Sequence, residues 1–322
     1  MESKIIPIKG DASFRSFYRI IINKKSKIII SAKKEKYKNL VAYTAVNKFL
    51  RKNKILAPKL FAHNYKKGIF LIEDFGNISF YNILIKQKNK LKTYKRLVDL
   101  LLQIQKIKPK SKIKNIFDKS HLLKKYSTKH LLEESDLFFD WYLPLFLNKK
   151  KTLNIKKKLN KILLTIYKKL NFKNSSLVHK DYHSQNLMKV GAKIGIIDNQ
   201  DAIIGNPAYD LASLIDDVRI KTSSNLKNKI YKYYLKKNLT ISNVQSKNFL
   251  KDFNILSVQR SLKIIGVFSR LYKRDKKNIY LKFIPYTWKL LEMRMNSESF
   301  LKIKKILDIN ISAKIRKKII FK

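Results

Sequence analysis

The apolar residues of this chain change period once, near residue 75, and that change constrains the fold more than any other feature. Before it, short apolar runs read as strands: residues 17–22 and 28–30 flank the polar turn Asn23-Lys24-Lys25-Ser26-Lys27. Residues 36–52 read as an amphipathic helix, with Leu40, Tyr43, Val46 and Leu50 on one stripe. Leu60–Asn64 and Ile69–Glu73 read as a hairpin around Tyr65-Lys66-Lys67-Gly68. Beyond Gly76 the spacing is helical, over about 79–107, 153–170, 208–219, 224–237, 247–272 and 279–306. A Lys-rich connection with Pro109 fills 108–120, and an aromatic-rich stretch at 137–142 is stopped by Pro144. Only residues 177–202 interrupt the helical texture, with two short strands, 187–190 and 194–197, around Gly191. The expected class is α+β. A small N-terminal sheet lobe with one helix, residues 1–74, joins a large, mostly helical lobe, residues 75–322. A boundary at Glu73-Asp74-Phe75-Gly76 predicts a cleft, a favoured place for a ligand. The Lys-rich end from about residue 312 is expected to fray.

The chain has 322 residues, 45% apolar and 11% aromatic, enough to bury a sizeable core. With no cysteine, a disulfide scaffold, a Cys-ligated zinc site and a thiol nucleophile are excluded. No run of 18 uncharged apolar residues suggests a membrane span. The apolar patch in Met1–Gly10 is too short for a signal peptide, so the expectation is a cytoplasmic protein. The net charge of +51 invites a polyanion-binding reading. Against it, only 10 of the 73 basic residues are Arg, the fork that nucleic-acid contacts favour, and the lysines are scattered rather than gathered in a tail. Abundant Lys, Asn and Ile beside 7 Gly and 6 Pro is the bias of an AT-rich genome. In such a chain the surviving glycines are expected where a positive φ or a close backbone approach requires them.

The densest chemistry lies in the interrupting segment. His179-Lys180-Asp181-Tyr182-His183-Ser184-Gln185-Asn186 reads H-x-D-x-x-x-x-N, and Asp198 ends an apolar strand twelve residues after Asn186. This arrangement suits phosphoryl transfer. One Asp, here Asp181, orients a substrate hydroxyl and accepts its proton. An Asn and a second Asp, here Asn186 and Asp198, are hard oxygen donors suited to Mg²⁺ on nucleotide phosphates. The kinase pattern also sets base and Asn five residues apart on one loop.

With these motifs the sequence resembles the aminoglycoside/choline phosphotransferase-like kinases, and among them the bacterial anomeric kinases of N-acetylmuramate and N-acetylglucosamine. Four segments carry the resemblance: residues 10–15, Leu71 to Gly76, His179 to Met188 with Ile197 to Ala202, and Val258 to Arg270 continuing to Arg274-Asp275. It spans about residues 8–295. It implies a protein-kinase-like two-lobed fold and ATP with Mg²⁺ as cofactors. It implies transfer of phosphate to the anomeric hydroxyl of a small amino sugar, in peptidoglycan recycling. By position, Asp181 is the catalytic base and Asn186 and Asp198 are the metal ligands. Ser13, Phe14 and Arg15 lie on the loop over the phosphates, and Glu73, Asp74 and Phe75 form the adenine hinge. Asp210 and His179 are structural supports. His183 contacts sugar or caps the loop. Gln200 and Asp201 face the acceptor or form a turn. Arg219 or Arg260 meets the lactyl carboxylate of N-acetylmuramate, or pairs internally.

Three departures stand out. The phosphate loop has a single glycine, Gly10. No lysine sits at the expected place in Ile28-Ile29-Ile30-Ser31-Ala32-Lys33, which leaves Lys27, Lys33 or Arg15 for the phosphates and Glu35 as a possible ion-pair partner. Asn199 stands where the family has an aromatic residue, which predicts looser packing. Trp141, Trp288, Phe138 and Phe139 are expected in the core. A monomer is expected, with no obligate protein partner, membrane insertion or nucleic-acid ligand. The alternatives are a phosphotransferase for an aminoglycoside, choline or another small alcohol, and a non-catalytic, polyanion-binding kinase relic. A strongly cationic protein repels cationic acceptors and favours anionic ones.

Overall fold

The computed structural model describes residues 3–8, 15–33, 37–238 and 242–317. Two compact units emerge, residues 1–124 with 176–204, and residues 125–175 with 205–322. This grouping differs from a division at residue 74, because backbone hydrogen bonds tie residues 176–204 to the N-terminal part of the chain.

The first unit opens with strands β1 (Ser3–Ile8), β2 (Arg15–Ile22) and β3 (Lys25–Ala32), then helix α1 (Tyr37–Lys52), then β4 (Leu60–Asn64) and β5 (Ile69–Glu73). The five strands form one antiparallel sheet in the order β1-β2-β3-β5-β4. The sequence reading lacked β1, whose Lys4 and Pro7 hide its alternation; Pro7 is tolerated because the strand lies at the edge. Along β3, Ile28, Ile30 and Ala32 face one side and pack with Leu40 and Tyr43 of α1 and with Phe70 and Ile72 of β5. Helices α2 (Phe80–Lys86) and α3 (Leu91–Gln105) follow, where the spacing predicted one continuous helix. Ser79 caps α2 through a reciprocal capping box with Asn82. The Lys-rich connection contains a short hairpin, β6 (Lys112–Lys114) and β7 (Ser120–Leu122).

Residues 176–204 complete this unit with β8 (Ser176–Val178), the hairpin β9 (Leu187–Val190) and β10 (Lys193–Ile196), and β11, which begins at Ile203 and ends at Gly205. The hairpin is fastened by Lys189 N–H to the Ile78 carbonyl and Ile196 N–H to the Leu56 carbonyl, both at 2.8 Å. Gly195 lies against the Phe75 ring so closely that a Cβ there would be 2.5 Å from Cε2. This is a close approach of the kind that only glycine permits.

The second unit holds α4 (Thr128–Leu137), α5 (Lys149–Tyr167), α6 (Ala208–Ile215), α7 (Ser224–Lys237), α8 (Asn243–Lys273), α9 (Ile284–Arg294), α10 (Leu301–Asn310) and α11 (Ala313–Lys317). After α4 the chain makes one π-helical turn, Phe138–Tyr142, that drives Phe138, Phe139 and Tyr142 into the core beside Trp288. Trp288 Nε1–H donates to the Tyr142 hydroxyl at 2.9 Å. Trp141, expected in the core, is instead half-buried and is not among the turn's buried residues. The expected fraying from residue 312 does not hold for α11. Arg316 is buried there, stacks over Trp288 and pairs with Glu292 at 2.8 Å and Asp308 at 2.7 Å.

Candidate active site

The loop after β8 is shaped by its own side chains. His179 Nδ1 accepts the Asp181 N–H at 3.2 Å, which leaves Nε2–H to donate to the Ile197 carbonyl at 2.9 Å. One buried imidazole therefore clamps the residue before Asp198 to the backbone of Asp181. The Asp181 carbonyl accepts from His183 N–H at 2.9 Å and from Asn186 Nδ2 at 3.0 Å. The Asn186 carbonyl accepts from Ile197 N–H at 3.0 Å. Asp181, Asn186 and Asp198, separated in sequence, are thus held in one constellation by short backbone links. Lys180 and Asp198 both adopt positive φ, 75° and 66°. Asp tolerates that region; a lysine there marks strain next to the candidate base.

Asn186 fits a metal ligand. Its amide nitrogen is fixed by the Asp181 carbonyl, and its Oδ1 accepts no hydrogen bond among the described residues. The Asp198 side chain is 37% exposed, so its carboxylate remains reachable. Two oxygen donors with room for phosphate oxygens match how Mg²⁺ is usually held.

Arg15 reaches this corner from β2. Its Nη2 lies 2.6 Å from Asp198 Oδ1, and its Nη1 donates to Gln200 Oε1 at 3.1 Å. The guanidinium stands 5.6 Å from the ring centres of both Phe17 and Tyr43. Burial pushes the Tyr43 hydroxyl up to about 12, so it is neutral at physiological pH. Ser13, Phe14 and Glu35 lie outside the described residues.

At the expected hinge, the Glu73 carboxylate accepts from Arg51 at 3.0 Å and from the Lys59 N–H at 3.1 Å, while its own N–H donates to the Lys59 carbonyl. Asp74 takes a forked bond from Arg19 and caps the Gly76 N–H at 2.8 Å. Burial acts to raise its carboxyl pKa, but the bonds from Arg19, Gly76 and Ser26 outweigh it and hold Asp74 below the usual carboxylate range. Phe75 is buried against Gly195.

Asn199 corrects the expectation of loose packing. It is buried, and its amide donates to Asn47 Oδ1 at 2.7 Å and to the Ile196 carbonyl at 3.2 Å. Asn47 in turn donates to the Pro58 carbonyl. An amide relay replaces aromatic packing. Asn47 escaped the sequence reading, although a polar residue inside the apolar stripe of α1 was the visible signal. Arg19 was missed as well, with no local signal beyond the rarity of Arg.

His183 is buried, with its Nε2 3.5 Å from Asn186 Nδ2. Gln200 Nε2 donates to Asp201 Oδ2 at 3.2 Å within a 3₁₀ turn. The remaining candidates belong to the second unit. Asp210 is buried in the first turn of α6, where a negative charge suits the helix end. Arg219 N–H donates to Asp217 Oδ1 at 3.0 Å. Arg260 is only 5% exposed on α8 and makes no hydrogen bond or ion pair among the described residues. Beside it in sequence, Gln259 and Lys263 both engage Glu134, at 3.3 Å each.

Residues 4–240 match the phosphotransferase enzyme family. The chain belongs to that family. Among its phosphotransferase relatives, the N-acetylmuramate/N-acetylglucosamine kinase of Pseudomonas aeruginosa is 26% identical over 294 residues, 90% of this chain and 83% of that protein. The protein of the same name from Neisseria meningitidis serogroup B is 24% identical over 279 residues, 86% of this chain and 81% of that one. Two solved structures of this fold are Plasmodium vivax ethanolamine kinase and the ADP-bound aminoglycoside phosphotransferase APH(2'')-Ib. The first has a TM-score of 0.60 at 13% identity, covering 91% of this chain and 82% of that one. The second has a TM-score of 0.59 at 14% identity, covering 92% and 94%. The resemblance read from the sequence is borne out, and so is the α+β, protein-kinase-like fold of the phosphotransferases. Among the described residues no helix is long and apolar enough to cross a membrane.

Proposed function

We propose that this phosphotransferase is a cytoplasmic, ATP-dependent sugar 1-kinase that phosphorylates the anomeric hydroxyl of N-acetylmuramate or N-acetylglucosamine, as in peptidoglycan recycling. The observation that carries the reading is the constellation in which one loop and one hairpin bring together Asp181, Asn186 and Asp198. Asp181 accepts the proton of the acceptor hydroxyl as its oxygen attacks the γ-phosphate. His179 and Asn186 fix the backbone on either side of that carboxylate. Asn186 and Asp198 would hold Mg²⁺, which when bound neutralises charge on the phosphates. The Glu73–Phe75 segment would receive adenine.

For the acceptor, Arg260 supports an anion. Arg260 is 5% exposed and makes no hydrogen bond or ion pair among the described residues, and a carboxylate is the complement of a buried guanidinium. The lactyl group of N-acetylmuramate carries one. The field of a chain of net charge +51 acts in the same sense.

The test is ATP consumption with N-acetylmuramate, N-acetylglucosamine and kanamycin in parallel. Turnover of the amino sugars to an acid-labile 1-phosphate is expected, falling about a thousandfold in Asp181→Asn. Turnover of kanamycin alone would replace this acceptor with an aminoglycoside. Arg260→Gln is expected to raise KM for N-acetylmuramate about tenfold or more and to leave N-acetylglucosamine nearly unchanged.

A further inference from the structure

We infer that Arg15 is the cation that grips the nucleotide phosphates, a task that a lysine on β3 would otherwise perform and that here has moved across to β2. The inference deepens the kinase reading above and rests on it.

The inward face of β3 offers no cation. Ile28, Ile30 and Ala32 point into the packing with α1. Lys27 alternates to the other face, where its Nζ lies 4.7 Å from the centre of the Phe61 ring. Lys33, one residue past the end of β3, is exposed. Arg15, however, is directly paired with Ala32 in the β2–β3 register. Residues directly opposite each other on neighbouring strands project to the same face of the sheet. The Arg15 side chain therefore starts beside the Ala32 methyl, on the face that carries α1. The small side chain at 32 leaves the arginine stem its space.

The far end of Arg15 is equally constrained. Its side chain is only 8% exposed and runs past Phe17 and Tyr43 to Asp198 and Gln200. A buried, pre-set fork with five N–H donors beside a candidate metal carboxylate suits phosphate oxygens better than a flexible surface lysine would. A purely structural ion pair would hold Asp198 closed, whereas its side chain stays 37% exposed with the arginine bound.

Calorimetric titration of the full chain with Mg-ADP and, separately, with adenosine tests this without turnover. Arg15→Ala should weaken Mg-ADP binding about tenfold or more while leaving adenosine binding unchanged. Arg15→Lys, which keeps the charge but loses the fork, should fall between. Transposing the cation, in the double variant Arg15→Ala with Ala32→Lys, should recover much of the lost Mg-ADP affinity. Arg15→Gln, closer in size, serves if the alanine variant does not fold. Wild-type affinity for Mg-ADP in these variants, or an equal loss for adenosine and Mg-ADP, would overturn the inference. If the wild-type chain bound neither ligand, the kinase reading itself would fall.

Discussion

Lys180 and Asp198 flank the candidate chemistry with backbone angles that most side chains avoid. The loop holds them because His179, Asn186 and Ile197 supply enough hydrogen bonds to over-determine it. Lys180→Gly should relieve the strain, keep turnover, and raise the melting temperature by about 2 °C in a thermal unfolding scan. Elsewhere a single carboxylate anchors three segments. Asp216 is fully buried and accepts from Lys227 at 3.0 Å, Arg294 at 2.8 and 3.1 Å, and Ser257 at 2.6 Å. Burial acts to raise its carboxyl pKa, but Lys227, Arg294 and Ser257 outweigh it and hold the carboxyl far below the usual range. Its stabilisation is therefore complete above the ordinary carboxylate pKa and is lost as pH falls towards the folded value. Asp216→Asn should cost about 3 kcal/mol or more near neutrality and flatten the acid limb of a stability–pH curve below about pH 4. None of these bonds is visible in local sequence, since the partners lie 11 to 78 residues away.

Helix α8 shows how an element's path is set by one missing side chain. A Cβ on Gly266 would come within 2.2 Å of the Leu137 carbonyl carbon and 2.5 Å of the Phe138 nitrogen. The end of α4 and the start of its π-helical turn therefore press directly on α8. Gly266→Ala must push two backbones apart and should cost about 3 kcal/mol in chemical denaturation. The sparse glycines were a readable signal: Gly68, Gly76 and Gly191 have positive φ, and Gly195 and Gly266 are close approaches. Periodicity was a weaker guide to where helices stop. Residues 279–306 read as one helix, yet α9 ends at Arg294 and α10 starts at Leu301. Leu290, Leu291, Phe300 and Ile303 are all buried, so the apolar spacing continues across the break and conceals it. The hairpin β4–β5 was legible because Gly68 closes its turn at φ 64°.

For the whole molecule, a net charge of +51 is a standing repulsion that salt screens. The melting temperature should climb as NaCl is raised from about 0.02 M to about 0.3 M, where the Debye length falls well below 10 Å. A flat profile would mean that pairs such as Arg19–Asp74 and Arg316–Asp308 already absorb the repulsion locally. The sequence by itself determined the class of fold and pointed to the candidate catalytic motif. Alternation, helical period and a spacing of five residues are short-range patterns written in neighbouring side chains. The tertiary structure decided which arginine among ten meets Asp198, which amide stands in for an aromatic beside it, and that Arg260 is buried with no hydrogen bond or ion pair among the described residues. Those outcomes depend on strand register and on contacts between residues more than a hundred positions apart. No local pattern encodes such contacts, because they exist only once the chain has closed on itself.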